Sequence, residues 1–344
     1  MEKRKNIHKK PPHQRLKPDA WTLRNGVQLG FFLLTVMIGI QFAIWVAQIS
    51  VGQSPTVSRP PGVEGFLPVG SLIGLKYWLF TGIWDEIHPA GMVILFIAII
   101  LSWLVRKSFC SWICPVGTVS EWLWRLGKWG LGKNYLIPKP VDIALRSLKY
   151  LILLFFLLAV VSMGTETMSG FLASAYWKVS DIKMLRFFTH MSALTGFVLL
   201  ALVVGSVFVQ NFWCRYLCPY GALMGILGLA GPTRIQRSDS TCIDCDLCNR
   251  SCPQRLPVST KPVIVSAECT ACMQCVDVCP IEDTLHLATW GAPRTFWTRK
   301  RLGLFVVGSF LLAVTLARWS GVWESSLSLD TVINLVPQID FLGH

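Results

Sequence analysis

The chain has 344 residues, of which 53% are apolar and only 15% charged, with a formal net charge of +13 and 12 cysteines. Soluble domains carry about 25% charged residues, so this deficit, together with a mean hydropathy of +0.51, excludes one or two ordinary water-soluble domains. Nucleic-acid binding would require basic patches on a polar fold; here Lys and Arg lie between long apolar runs, and no nucleic-acid partner is expected.

Residues 1–26 form a basic tail. Its first 19 residues carry seven Lys or Arg and two adjacent prolines, the pattern of a disordered segment near anionic lipid. Val27–Ser50 is 24 residues without a charge, enough to cross a hydrocarbon core that needs about 20 helical residues. No small-residue cleavage site follows it, so it reads as a retained signal anchor. The apolar stretch Gly62–Trp84, interrupted by Pro68, Gly70 and Gly74, is expected at the outer interface or as a re-entrant segment. The tryptophans suit interfacial belts.

Asp85, Glu86 and His88 precede a second uncharged run, Pro89–Val105, which is followed by Phe109-Cys110-x3-Cys114-Pro115-x-Gly117. Tyr150–Thr165 makes a third span of 16 residues, with Lys149 able to snorkel from its end. His190 then precedes the fourth run, Met191–Trp213, which closes on Trp213-Cys214-x3-Cys218-Pro219-x-Gly221. The two cysteine motifs share one register, 104 residues apart, and Lys76-Tyr77-Trp78 is echoed by Tyr176-Trp177-Lys178. We read two tandem halves in parallel orientation, related by a pseudo-twofold about the membrane normal.

If the peptide is helical up to the second cysteine, the i, i+4 spacing puts both thiols on one face, and the proline starts the next helix. Three readings stay open for Cys110, Cys114, Cys214 and Cys218. They complete a third iron–sulfur site, they form a dithiol or soft-metal site suited to Cu(I), or they are small hydrophobes at an interface. His88 and His190, with Glu86 and Asp85 beside the first, are candidates for quinol binding and proton acceptance. Haem ligation and a plain solvated loop position are the alternatives. No C-x-x-C-H haem-attachment sequence is present.

Residues 232–301 read Cys242-x2-Cys245-x2-Cys248-x3-Cys252-Pro253 and Cys269-x2-Cys272-x2-Cys275-x3-Cys279-Pro280. Each is a bacterial ferredoxin run, in which three thiolates hold one [4Fe-4S] cluster and the fourth serves the other. This assigns Cys242, Cys245, Cys248 and Cys279 to one cluster, and Cys269, Cys272, Cys275 and Cys252 to the second. Two zinc ribbons are the alternative; two identical four-cysteine runs, each closed by Pro, weigh against it. Lys261–Ser266 alternates enough for a short strand, so the insert is expected to be a small α+β domain.

Leu302–Ala317 is the fifth span, 16 residues between Arg301 and Arg318. Of the 32 Lys and Arg, 26 fall in residues 1–26, 106–149 and 211–301, and six in the alternate segments. Basic residues mark the cytoplasmic side, so the N-terminus and the insert are expected inside and the C-terminus outside. All 12 cysteines then face a compartment that keeps thiols reduced, which points to metal or redox chemistry and away from disulfides.

The double C-x3-C-P element followed by the double ferredoxin run resembles the ferredoxin-type membrane proteins of the NapH, NosR and CcoG group. The resemblance rests also on Gly62–Pro68 (GVEGFLP), Phe109–Thr118 (FCSWICPVGT), Asp181–Leu185 (DIKML) and Trp213–Met224 (WCRYLCPYGALM). It implies electron transfer at a bacterial inner membrane, with the eight ferredoxin cysteines as cluster ligands and, for the NapH-like branch, quinol dehydrogenation. The expectation is therefore an α-helical integral membrane protein of about five spans with a small 2[4Fe-4S] domain. Its divisions are a tail (1–26), a duplicated membrane domain (27–231), the ferredoxin insert (232–301) and a last span with its periplasmic tail (302–344). Its partners would be membrane lipid, the quinone pool and a redox protein. A copper reduction or assembly factor using the C-x3-C-P thiols is the second reading. A transporter, or a regulatory sensor using the clusters only as a redox switch, lacks support, since no charged residue inside any span marks an ion path.

Overall fold

The structure is a computed structural model that describes residues 21–290, 296–339 and 341–342; the expected disordered tail, residues 1–19, lies outside them. Its helices are α1 (Leu23–Ser50), α2 (Pro68–Thr81), α3 (Pro89–Val105), α4 (Ser108–Trp112), α5 (Pro115–Leu131), α6 (Lys139–Ser162), α7 (Thr165–Ala173), α8 (Ala175–Lys178), α9 (Ser180–Thr189), α10 (Ala193–Phe208), α11 (Phe212–Tyr216) and α12 (Pro219–Ala230). There follow β1 (Thr233–Arg237), α13 (Leu247–Ser251), β2 (Val263–Ile264), α14 (Gln274–Val278), β3 (Leu285–Thr289), α15 (Arg299–Trp319) and α16 (Leu329–Leu335).

Among the described residues, α1, α6 and α15 are long and apolar enough to cross a membrane, and α9 with α10 makes a fourth if that bent pair is one span. The three long helices leave large apolar side chains exposed, among them Met37, Phe155, Leu158, Leu304 and Leu312. Such faces suit hydrocarbon, where the helix satisfies its own backbone. The uncharged runs understate two of these helices. Helix α6 starts at Lys139 and α15 at Arg299, so each helix continues past the charged end of its apolar run; Lys149, expected to snorkel, is instead buried and bonded to Glu268 at 2.5 Å. Helix α3 has the 17 residues of its run. The run Met191–Trp213, by contrast, is not one helix: α10 ends at Phe208, Asn211 is left-handed at φ 53°, and α9 meets α10 at an 80° bend. Hydropathy registers composition and is blind to such backbone breaks. The stretch expected to re-enter the membrane, Gly62–Trp84, holds a 3-10 turn over Pro61–Phe66 and then α2.

The chain divides into two compact units. The first comprises residues up to Phe31, Ile99–Tyr150 and Leu202–Gly308, and so holds both C-x3-C-P motifs and the ferredoxin insert. The insert is built on an antiparallel sheet of order β2-β1-β3. Ile235 on the central strand pairs with Ile264 on one side and Leu287 on the other, and all three are buried. The strand expected within Lys261–Ser266 is the two residues of β2. Helices α13 and α14 have five residues each, too few to persist without tertiary support.

The second unit comprises Phe32–Ala98, Leu151–Ala201 and the chain from Ser309 onward. Phe42, Trp45 and Ile49 of α1 form its core with Val179, Ile182, Val332 and Val336. Lys76 donates to the carbonyls of Val160, Val161 and Met163 at 3.0, 2.9 and 2.7 Å, satisfying acceptors that the end of α6 leaves open. Gly70 lies so close to Trp177 that a Cβ there would sit 2.0 Å from the indole ring, which fixes where that ring rests.

Candidate functional site

Eight thiols line two cavities. Cys242, Cys245, Cys248 and Cys279 wall the first, and Cys252, Cys269, Cys272 and Cys275 the second. Both loops turn in the same way. Asp244 and Asp246 in one, and Ala271 and Met273 in the other, occupy the left-handed region at equivalent places in the two runs, curling successive peptide groups around each cavity. Cys252 and Cys279 follow α13 and α14 in extended conformation, at φ −75°, ψ 115° and φ −62°, ψ 122°. The prolines that follow impose this, since a residue before Pro is pushed out of the helical region. Each fourth thiol thus leaves its own run and enters the other run's cavity.

Among the described residues, no three His, Cys, Asp or Glu side chains close on a single metal ion. A zinc site would need four sulfurs each about 2.3 Å from one centre, whereas a [4Fe-4S] cluster offers each thiolate its own iron. Four thiols spread around a cavity fit the second arrangement. Burial pushes the Cys252 thiol up to about 12 and Cys248 up to about 11, so metal binding must displace their protons.

The C-x3-C-P motifs are constructed alike. Helices α4 and α11 stop before the second cysteine, so the expectation of helix up to that residue gives way to a different geometry. Cys114 and Cys218 are the extended N-cap residues of α5 and α12, and Pro115 and Pro219 open those helices. The Gly221 N–H donates to Cys218 Sγ at 3.2 Å. Gly117 packs against the Cys110 carbonyl, where a Cβ would come within 2.3 Å. Burial pushes all four thiols up, Cys114 to about 11, and the charge of neighbouring thiols adds to the rise at Cys110, Cys114 and Cys214. The two motifs meet: the rings of Phe109 in the first and Tyr220 in the second lie edge to face with centroids 6.2 Å apart.

Charged side chains surround this convergence. Glu268, beside Cys269, accepts from Lys107 at 3.3 Å, Lys149 at 2.5 Å and the Tyr150 hydroxyl at 3.0 Å. Despite burial, the two lysines hold its carboxyl down to about 2. Arg24 donates to Glu121 on α5 and to the Ser111 carbonyl. Arg215 holds Asp142 with two bonds of 2.9 Å, and Tyr216 adds a third of 2.6 Å.

The histidines differ. His88 is fully buried and His190 is exposed. His88 Nε2 lies 2.7 Å from the Trp177 carbonyl and 3.1 Å from Ser180 Oγ. Its Nδ1 lies 3.1 Å from Arg59 and 3.4 Å from Glu64. Arg59 also binds Asp181 at 2.8 Å, and Asp85 accepts from Trp177 Nε1 at 3.0 Å. A carbonyl only accepts, so Nε2 carries a proton; Nδ1, between a guanidinium donor and a carboxylate, is suited to either protonation state. Burial lowers the His88 pKa, but the Glu64 hydrogen bond and the Asp181 charge outweigh it and the net shift is upward. Glu86 is exposed, and its carbonyl accepts from Ser326 at 3.0 Å. Sequence reasoning missed Glu64, Asp181 and Arg59; an acid within the apolar stretch Gly62–Trp84 was the available signal for Glu64.

A family model described as a 4Fe-4S binding domain matches twice, at residues 87–134 and 189–237, and one described as a 4Fe-4S dicluster domain matches residues 234–280. YccM of Escherichia coli (strain K12), which carries an electron transport name, is 39% identical over 95% of this chain and 93% of its own length. The ferredoxin-type protein NapH of the same strain is 27% identical over 75% of this chain and 86% of its own. The methylamine utilization ferredoxin-type protein MauN of Paracoccus denitrificans is 27% identical over 72% and 83%. No solved structure matches.

Proposed function

The chain belongs to the NapH-like family of ferredoxin-type membrane proteins, which are membrane-associated iron–sulfur electron carriers, and from that premise we propose that it passes electrons between a bacterial inner-membrane quinone pool and a redox partner protein. The observation that carries this reading is the pair of four-thiol cavities, the second of them bonded to both C-x3-C-P motifs. Cys242, Cys245, Cys248 and Cys279 would hold one [4Fe-4S] cluster, and Cys252, Cys269, Cys272 and Cys275 the other. When bound, such clusters supply one-electron transfer. Cys110, Cys114, Cys214 and Cys218 would form a third metal or iron–sulfur site or a thiol relay.

His88 takes the proton-accepting role at Nδ1, with Glu64 and Arg59 adjusting to either state. Burial and this double-sided contact favour His88 over the exposed His190 and Glu86. The membrane reading has five spans in two tandem halves. The N-terminus and the 232–301 insert lie in the cytoplasm and the C-terminus in the periplasm, with the divisions 1–26, 27–231, 232–301 and 302–344. Two matches to one family model at related stretches support the duplication, and the 26 to 6 division of basic residues supports the orientation.

Anaerobic purification with iron quantitation and EPR tests the reading, followed by reduction with a quinol analogue. About eight irons per chain mean two clusters and a thiol relay, and about twelve mean a third cluster. Centres that no quinol analogue reduces and no quinone reoxidises remove the quinone assignment. Convergence of four soft thiols also favours the copper reading; copper bound by the protein and lost when Cys110 and Cys214 are replaced would establish that one.

A further inference from the structure

The two C-x3-C-P motifs reach the insert in the same register. The residue three places before each first cysteine and the residue one place after it both bond to the insert. In the first motif, Lys107 donates to the Glu268 carboxylate at 3.3 Å and Ser111 to the Thr270 carbonyl at 2.7 Å. In the second, Asn211 donates to the Pro253 carbonyl at 3.1 Å and Arg215 to the Gln254 carbonyl at 2.7 Å. The first pair ends on either side of Cys269, the second directly behind Cys252. Both are thiols of the second cavity. Trp112 adds a contact of 3.5 Å to the Ala271 carbonyl, in the same loop.

In the second cavity Cys269, Cys272 and Cys275 are buried and Cys252 half-buried, whereas in the first Cys248 and Cys279 are buried, Cys242 is half-buried and Cys245 is exposed. The insert's internal repeat makes the two thiol sets nearly equivalent in sequence. Their surroundings make them unequal.

We infer that the two cluster sites divide the work: the second is the one held by the duplicated C-x3-C-P element, and the first, at Cys245, is the port where a water-soluble one-electron redox protein docks. One electron crosses at the port per encounter, the partner losing what the site gains or the reverse, and no bond forms or breaks. Lys107, Ser111, Asn211 and Arg215 are positioning residues for the second site. The inference rests on the two-cluster reading above. It adds an order to the sites and a place for the partner.

The test uses the full chain, purified anaerobically in detergent with its clusters, and reads the EPR relaxation of the reduced centres with and without a water-soluble dysprosium chelate. Such a probe speeds the relaxation of centres near the aqueous surface. The Cys245→Ser variant identifies the first-site signal by altering it. The expected result is relaxation enhanced several-fold at the first site and nearly unchanged at the second. Ser111→Ala and Asn211→Ala are expected to alter only the second-site line shape, an effect that general loosening of the fold would spread to both. Equal enhancement at the two sites, or greater enhancement at the second, overturns the division while leaving two intact reducible centres and hence the cluster reading. Fewer than two reducible centres in the unaltered protein would remove both. Where Cys245→Ser does not fold, Ser111→Ala or Asn211→Ala makes the assignment by altering the second-site signal, and the contrast in the unaltered protein then decides the matter.

Discussion

At Cys114 and Cys218 the chain makes the same structure twice: an extended cysteine, a proline opening a helix, and bonds to the insert from equivalent positions. At His88 and His190 it does not. One imidazole is buried among Arg59, Glu64, Trp177 and Ser180, and the other lies exposed after α9. The thiol motifs meet at one place, so each constrains the other and both keep their form. The histidines share no such meeting point, and the buried polar groups gather around only one of them.

The largest expected effect separates the histidines. Replacing His88 with Ala removes a charge partner of the buried Glu64 and Asp181 and leaves Arg59 to pair with both, and breaking a buried charge set of this kind costs about 3–5 kcal/mol. His190→Ala is expected to leave stability unchanged, as exposed positions usually do. Thermal unfolding of the detergent-solubilised protein measures both, and equal losses would break the contrast. A smaller effect divides the otherwise matched cysteine motifs. An added methyl at Gly117 meets the Cys110 carbonyl at 2.3 Å, but at Gly221 the nearest atom is 3.6 Å away. Gly117→Ala should therefore cost about 1–3 kcal/mol through overpacking. Gly221→Ala should be neutral or gain up to about 1 kcal/mol from helix propensity. Denaturant or thermal midpoints of the two variants sharpen the comparison, since a reversed order would mean that the motifs pack differently.

The smallest effect is on pH dependence. The raised pKa of His88, faced by Glu64, Asp181, Asp85 and Arg59, means that its proton is held more tightly in the folded chain. That contribution is complete below the ordinary histidine value of about 6.5 and is lost as pH rises through the folded-state value. The thermal midpoint of the wild type should fall across this range more than that of His88→Gln. Parallel pH profiles would remove the charged histidine from the network.

The thiol grouping was legible because such spacing is local: each run of twelve residues carries three thiols that line one cavity, a fourth that lines the other, and a closing proline that turns the fourth away. The helix count was less legible. Charged ends concealed the true lengths of α6 and α15, and an uncharged run concealed the break at Asn211. The His88 environment was least legible. Arg59, Glu64 and Asp181 lie 29, 24 and 93 residues from it in sequence, and only folding brings Asp181 within reach. Glu268 and Lys107 escaped notice for the same reason, and Lys149, expected to snorkel from its span, is instead buried against Glu268; a buried ion cluster has no spacing rule of its own.

The exchange of Cys252 and Cys279 between the two cavities has a consequence for how the insert comes into being. Neither cavity has four walls until both runs are present and folded against each other, so the first inorganic core to enter already draws the second run into register. Loading should then be strongly cooperative, with half-filled chains scarce during maturation. A shortened insert keeping one run would lose both cores, because its remaining thiols number three for one cavity and one for the other.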